Sequence, residues 1–164
     1  MIDLYAIGFD PVLNRQALET YADPCVNQIG IESQCADIAW CDTLIFIYPT
    51  WWYGVPAILK GWLERMLLPG VAFELPQQAD ENIKPGLTHI RRLAVFTTCG
   101  ASWWLTCMIG APGKRTILRG GRLLCAKRCR TTFAAHYLMD SATQASRSAH
   151  LARVSRKMDR FLKG

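Results

Sequence analysis

The sequence predicts an α/β layer fold with a parallel sheet. Two short apolar runs rich in branched and aromatic residues, "DTLIFIY" and "RRLAVFTTCG", have the pattern of strands buried on both faces. The segments around them carry apolar residues three and four apart, as helices do, and strands alternating with helices imply parallel pairing. The chain has 164 residues, 51% of them hydrophobic, about one domain's worth and enough for a core.

Taken in order, "MIDLY" at residues 1–5 predicts a short strand, and "GFDPVLN" a turn-rich exit with Asp10-Pro11. Gly30–Trp40 predicts a helix with Ile31, Cys35, Ile38 and Ala39 on one face. Val55–Leu67 predicts another, with Ile58, Leu59, Trp62, Leu63 and Met66 inward and Pro56 in its first turn. Pro76–Leu87 predicts a surface loop. Short helices are expected at Trp103–Ile109, stopped by "GAPG", and at Ile117–Ala126. Lys127–Tyr137 predicts the last strand. Thr143–Phe161 predicts an amphipathic helix with Leu151, Val154, Met158 and Phe161 inward and Arg147, Arg153, Arg156, Lys157 and Arg160 outward.

Composition narrows the function classes. Seven cysteines with no CxxC pair and no leader argue against a disulfide framework or a zinc site, and fit a reducing cytoplasm. The uncharged runs Thr43–Leu59 and Leu93–Gly113 are broken by Gly, Pro, Thr and Ser, so each predicts a strand plus a loop rather than a membrane span. Net charge is −5 over residues 1–113 and +11 over 114–164. The basic end is either a solvated face or a surface for a polyanion. No recognition motif supports nucleic acid, and Lys114, Arg115 or Arg119 could instead meet dinucleotide phosphates.

Ligands of such folds sit beyond the carboxyl ends of the strands. Two loops take that place, Pro49–Gly54 ("PTWWYG") and Thr97–Ser102 ("TTCGAS"). No Walker, GxGxxG or GxSxG motif is present, and His89, His136 and His150 are far apart in sequence with no carboxylate pair. Cys99 stands at a strand end, either as an exposed thiolate or as an inert thiol. The loops offer an aromatic wall and a row of backbone N–H groups from Thr98 to Ala101, which suits a flat conjugated ring with a polar edge, such as a flavin. Trp51, Trp52 and Tyr53 could equally be packing aromatics in a helix–sheet groove.

"YPTWWYGVPAILKGWLERMLLPGVAF", "LAVFTTCGAS" and "IDLYAIGFDPVL" resemble segments of the NAD(P)H:quinone oxidoreductase family of flavodoxin-like flavoproteins, over nearly the whole chain. The resemblance implies a parallel sheet with helices on both faces, bound FAD or FMN, NAD(P)H as hydride donor, a quinone or similar two-electron acceptor, and a homodimer. It places Pro49, Thr50, Trp51, Trp52 and Tyr53 along the flavin ring and Thr97, Thr98, Cys99 and Gly100 at its other edge. Trp52 and Tyr53 would also wall the substrate pocket. Trp103 and Trp104 either shape that pocket or pack in the core. The relatives' tyrosine and histidine after the second loop have no counterpart in "SWWLTCMIGAPGKR", so no acid–base relay is carried over. The expectation is one flavodoxin-like domain over residues 1–164, truncated at its N-terminus, without the family's first strand, phosphate loop and first helix. Met1–Tyr5 taking the vacant strand position is the other option. The functional alternative is a non-catalytic interaction or regulatory module that has lost the phosphate site.

Overall fold

The computed structural model describes residues 1–76, 78 and 81–163. Its elements are α1 Arg15–Glu19, α2 Glu32–Trp40, β1 Thr43–Pro49, α3 Ala57–Met66, β2 Phe73–Glu74, β3 Lys84–Pro85, β4 Arg92–Thr98, α4 Trp103–Met108, α5 Pro112–Arg115, β5 Arg130–His136 and α6 Gln144–Lys163. A parallel three-stranded sheet has the order β1-β4-β5, and β2 pairs β3 in a separate antiparallel ladder. That ladder places β3 inside the expected loop Pro76–Leu87, of which residues 77, 79 and 80 lie outside the described residues.

Two elements differ from the sequence expectation for local reasons. Met1–Tyr5 is no strand: Asp3 Oδ1 accepts from the N–H groups of Tyr5 at 3.0 Å and Ala6 at 3.2 Å, and Gly8 is left-handed at φ 62°. A side chain that satisfies its neighbours' donors favours a turn over an extended ladder. The helix expected at Ile117–Ala126 is a π-turn at Thr116–Gly120 followed by a 3-10 turn at Gly121–Leu124. Two adjacent glycines at 120 and 121 weaken helical continuation there.

The chain divides into two compact units. One holds residues Met1–Cys41, Ala57–His89 and Leu123–Lys127. In it α2 buries Cys35 and Ile38, with Ile31 buried just before it, but leaves Ala39 exposed, and α3 buries Leu59, Leu63 and Met66. His89 Nε2 bonds Ile38 O at 2.9 Å, and Asn27 Nδ2 donates to Pro69 O at 2.9 Å.

The second unit holds Asp42–Pro56, Ile90–Arg122 and Arg128 to the end of α6. Strand β4 lies at the centre of the sheet and is buried from Leu93 to Thr97. Ala94, Phe96 and Ala134 form one core cluster with Phe161 of α6, and Val154 and Met158 pack against it. Leu151, expected inward, is 67% exposed. Strand β1 was expected to be buried on both faces; Tyr48 is buried, but Ile45 is 40% and Ile47 68% exposed. The register pairs Ile45 with Ala94 and Ile47 with Phe96, so both share the sheet face that α6 covers over β4 and β5. β1 is the edge strand on the side away from β5 and extends past that cover.

Candidate functional site

Parallel register brings three strand ends together. Pro49 pairs with Thr98 and Thr98 with His136, so the segments leaving β1, β4 and β5 start side by side. Two bonds tie the first pair: Thr50 N donates to Thr98 O at 2.7 Å, and the hydroxyls of Thr50 and Thr97 meet at 2.8 Å. Pro49, Thr50, Thr97 and Thr98 therefore lie together.

The aromatic segment is a tight two-residue turn. Gly54 N donates to Trp51 O at 2.8 Å, these residues form an antiparallel bridge, and Trp52 and Tyr53 are both left-handed at φ 46° and 62°. Two left-handed central residues define a type I′ turn, which favours Asn and Gly. Glycine adopts this conformation without strain, but here two aromatics carry it, at a cost of about 1–2 kcal/mol each. Gly54 and Gly113 serve a close approach: a Cβ on Gly113 would lie 3.0 Å from Gly54 C, and Gly113 N donates to Tyr53 O at 3.2 Å. The turn is thereby pinned to α5.

Trp52 is 93% exposed, and Trp51, Trp103 and Trp104 are also largely exposed. None of the four is a packing residue of the core. Tyr53 is half-buried, its ring centroid 6.3 Å from that of Trp52.

The second loop spends part of its donor row. Cys99 N donates to His136 O at 2.8 Å, while Cys99 and Ala101 carbonyls accept from Met139 and Leu138. The N–H groups of Gly100 and Ala101 have no partner among the described residues. A Cβ on Gly100 would stand 3.0 Å from Asp140 Oδ2, so a carboxylate flanks this donor pair. Ser102 then caps α4, its Oγ accepting from Leu105 N at 3.2 Å. The Cys99 thiol is buried, 3.7 Å from Thr106 Oγ1, so the exposed-thiolate option does not hold.

Below the turn lies a recess of about 20 Å³. Tyr48, Tyr53, Thr97, Lys114, Phe133 and Tyr137 are among its walls. The Lys114 ammonium sits 4.8 Å from the Phe133 ring centroid, in cation–π range. Burial pushes the Tyr48 phenol up to about 12. Burial also raises Tyr137, with Cys107 and Cys99 adding to the rise and Arg153 opposing it.

The histidines, distant in sequence, include a pair in space. The rings of His136 and His150 meet edge to face at 5.0 Å, and His150 Nδ1 lies 2.9 Å from Arg153 Nη2. His136 Nδ1 is buried with no partner among the described residues. Burial, then Arg153 and His136, hold the His150 pKa below its ordinary value. Spacing of three on one helix could have signalled His150 and Arg153; nothing local in the sequence brings His136 to them.

None of the seven cysteines is in a disulfide. Among the described residues no group of three or more His, Cys, Asp or Glu could hold a metal ion, and no helix is long and apolar enough to cross a membrane.

The fold and the strand-end loops define a class before any relative is considered, a parallel α/β protein with its candidate site at the carboxyl edge of the sheet. A family model described as a flavodoxin-like fold matches residues 1–160, and the chain belongs to that family, the one to which the resemblance with NAD(P)H:quinone oxidoreductases points. A Haemophilus influenzae protein named "uncharacterized NAD(P)H oxidoreductase" is 31% identical over 100 residues, 61% of this chain and 47% of its own length. Rat NAD(P)H dehydrogenase [quinone] 1 is 29% identical over 132 residues, 71% of this chain and 47% of its own. The chain thus spans about half the length of these relatives. The crystal structure of Smu.1420 from Streptococcus mutans UA159 superposes with a TM-score of 0.78 at 24% identity, over 94% of this chain and 79% of that one.

Proposed function

We propose that the two strand-end loops hold the ring of a flavin, FMN or FAD, and that the chain acts as an NAD(P)H oxidoreductase on quinones or similar two-electron acceptors. The observation that carries this is the pair of unspent donors at Gly100 and Ala101, beside a strand whose neighbour ends in the exposed Trp51–Trp52 turn. These residues fit the group: the aromatic faces are not taken up by core packing, and the donors are not taken up by the backbone. The names of the relatives point the same way.

In this proposal Pro49, Thr50, Trp51, Trp52 and Tyr53 line one side of the ring, and the Thr97, Thr98, Cys99 and Gly100 segment lies at its other edge. Bound flavin supplies two-electron hydride transfer between NAD(P)H and the acceptor. The protein's part is position and electrostatics. Gly100 and Ala101 N–H point fixed dipoles at negative charge, and fixed donors need no reorganisation when charge develops. Cys99 N–H is bound to His136 O and contributes by fixing the loop. Trp52 and Tyr53 exclude water and orient the nicotinamide or quinone, with Trp103 and Trp104 bounding the same space. In this proposal residues 1–164 belong to one flavodoxin-like domain that works as a homodimer in the cytoplasm.

The experiment is direct. Purified protein is scanned for flavin absorbance, incubated with FMN or FAD if colourless, and then given NADH or NADPH. The expected result is a flavin spectrum that NAD(P)H bleaches and a quinone restores. A protein that takes up neither flavin sinks the proposal and leaves the interaction-module alternative.

A further inference from the structure

The recess below the aromatic turn carries more donors than the fold uses. The hydroxyls of Tyr48, Tyr53 and Tyr137 have no hydrogen-bond partner among the described residues, although all three line the recess. Lys114 joins no ion pair among the described residues and rests on the Phe133 ring instead. No Asp or Glu lines the recess among the described residues. The other hydroxyls are spent, Thr50 on Thr97 and Thr106 on Ser102 O. The raised phenols of Tyr48 and Tyr137 stay protonated at neutral pH and remain donors. Unpaired donors around one concavity, with one cation and no carboxylate, make a site complementary to an acidic oxygen group.

Size sets what can enter. About 20 Å³ accommodates a water molecule or the oxygens of one acidic group, and no aromatic ring. The recess opens beside Tyr53 and Thr50, the residues that the flavin proposal places at the ring.

We propose that this recess is a subsite for a carboxylate or sulfonate carried by the acceptor, with Lys114 as its charge partner and the Tyr48, Tyr53 and Tyr137 hydroxyls as donors. The inference rests on the flavin proposal above and narrows its substrate class to quinones bearing an acidic substituent. Trp52 supplies the wall for the ring, and the recess takes the substituent.

The test is equilibrium dialysis of the protein as purified against naphthoquinone and against its ring sulfonate. The sulfonate should bind about 10-fold more tightly, as expected for one charge-assisted contact at a partly exposed site. K114M should bring the ratio near one, K114R should keep most of it, and Tyr48→Phe should lower it about threefold by removing one neutral donor. Thermal unfolding checks that each variant is folded; if K114M is not, K114R and Y48F decide the matter. Equal affinities in the unaltered protein, or a preference that survives K114M, overturn the subsite. Displacement of the sulfonate by inorganic phosphate at equal concentration also overturns it, since the recess would then be a general oxyanion site. Binding is read without turnover. A yellow, NAD(P)H-bleached protein with no sulfonate preference therefore refutes the subsite alone, and a protein that takes up no flavin refutes the proposed function.

Discussion

Replacing Trp52 by Asn should make the protein more stable and its flavin affinity weaker. Trp52 sits at φ 46° and is 93% exposed. The left-handed conformation costs a bulky residue about 1–2 kcal/mol and costs Asn much less. So exposed a side chain has almost no burial to lose, at about 25 cal/mol per Å². The net gain is therefore about 1 kcal/mol, or roughly 2–4 °C in Tm for a chain of this size. The same substitution removes an aromatic face from the proposed ring site. Aromatic pairs contribute about 0.5–1.5 kcal/mol beyond burial, so flavin affinity should fall roughly 2- to 13-fold. Thermal unfolding of flavin-free protein gives the first number, and a flavin fluorescence titration gives the second. A lower Tm in W52N would refute the argument, since Trp52 would then be a packing residue after all.

Three further outcomes follow from the same geometry. The Thr50–Thr97 hydroxyl pair should show a coupling of about 0.5–1.5 kcal/mol in a double-mutant cycle with Thr50→Val and Thr97→Val; additivity in urea unfolding would mean the hydroxyls do not bind each other. Gly113→Ala places a Cβ 3.0 Å from the Gly54 backbone and should destabilise by about 1–3 kcal/mol; a melting temperature equal to the parent's would show that α5 does not clamp the turn. His150 is held below its ordinary pKa of 6.5, so the folded state binds fewer protons there than the unfolded state. Stability should be fully present above that value and decline as pH falls below it, and His150→Asn should flatten the profile; an unchanged profile in urea titrations from pH 7.5 to about pH 5 would contradict this.

Much of the architecture was legible because burial and period speak plainly. The apolar run from Leu93 to Thr97 is long enough to be central, and it is. Val154, Met158 and Phe161 repeat at helical spacing, and all three pack inward. Where the reading slipped, an interaction outside the pattern decided. Ile45 and Ile47 look like core residues, but exposure depends on which strand is outermost, and composition does not encode sheet order. Asp3 overrides the strand propensity of its neighbours through two short side-chain bonds. The location of the candidate site followed from strand ends alone, whereas its strain did not: propensity assigns left-handed turns to Gly54 rather than to Trp52 and Tyr53. The meeting of His136 with His150 needs β5 and α6 in place before it exists.

The hydrogen-bonded register between β1 and β4 acts as a ruler. Neighbouring strands stand about 4.8 Å apart whatever side chains they carry. Because Thr50 N is bonded to Thr98 O, the aromatic turn and the donor loop each leave from a rail of that fixed gauge. The chemistry of the two loops can then drift through substitution while the gap at their roots stays constant. A lineage could exchange Trp51 or Trp52 for other residues without rebuilding the sheet beneath.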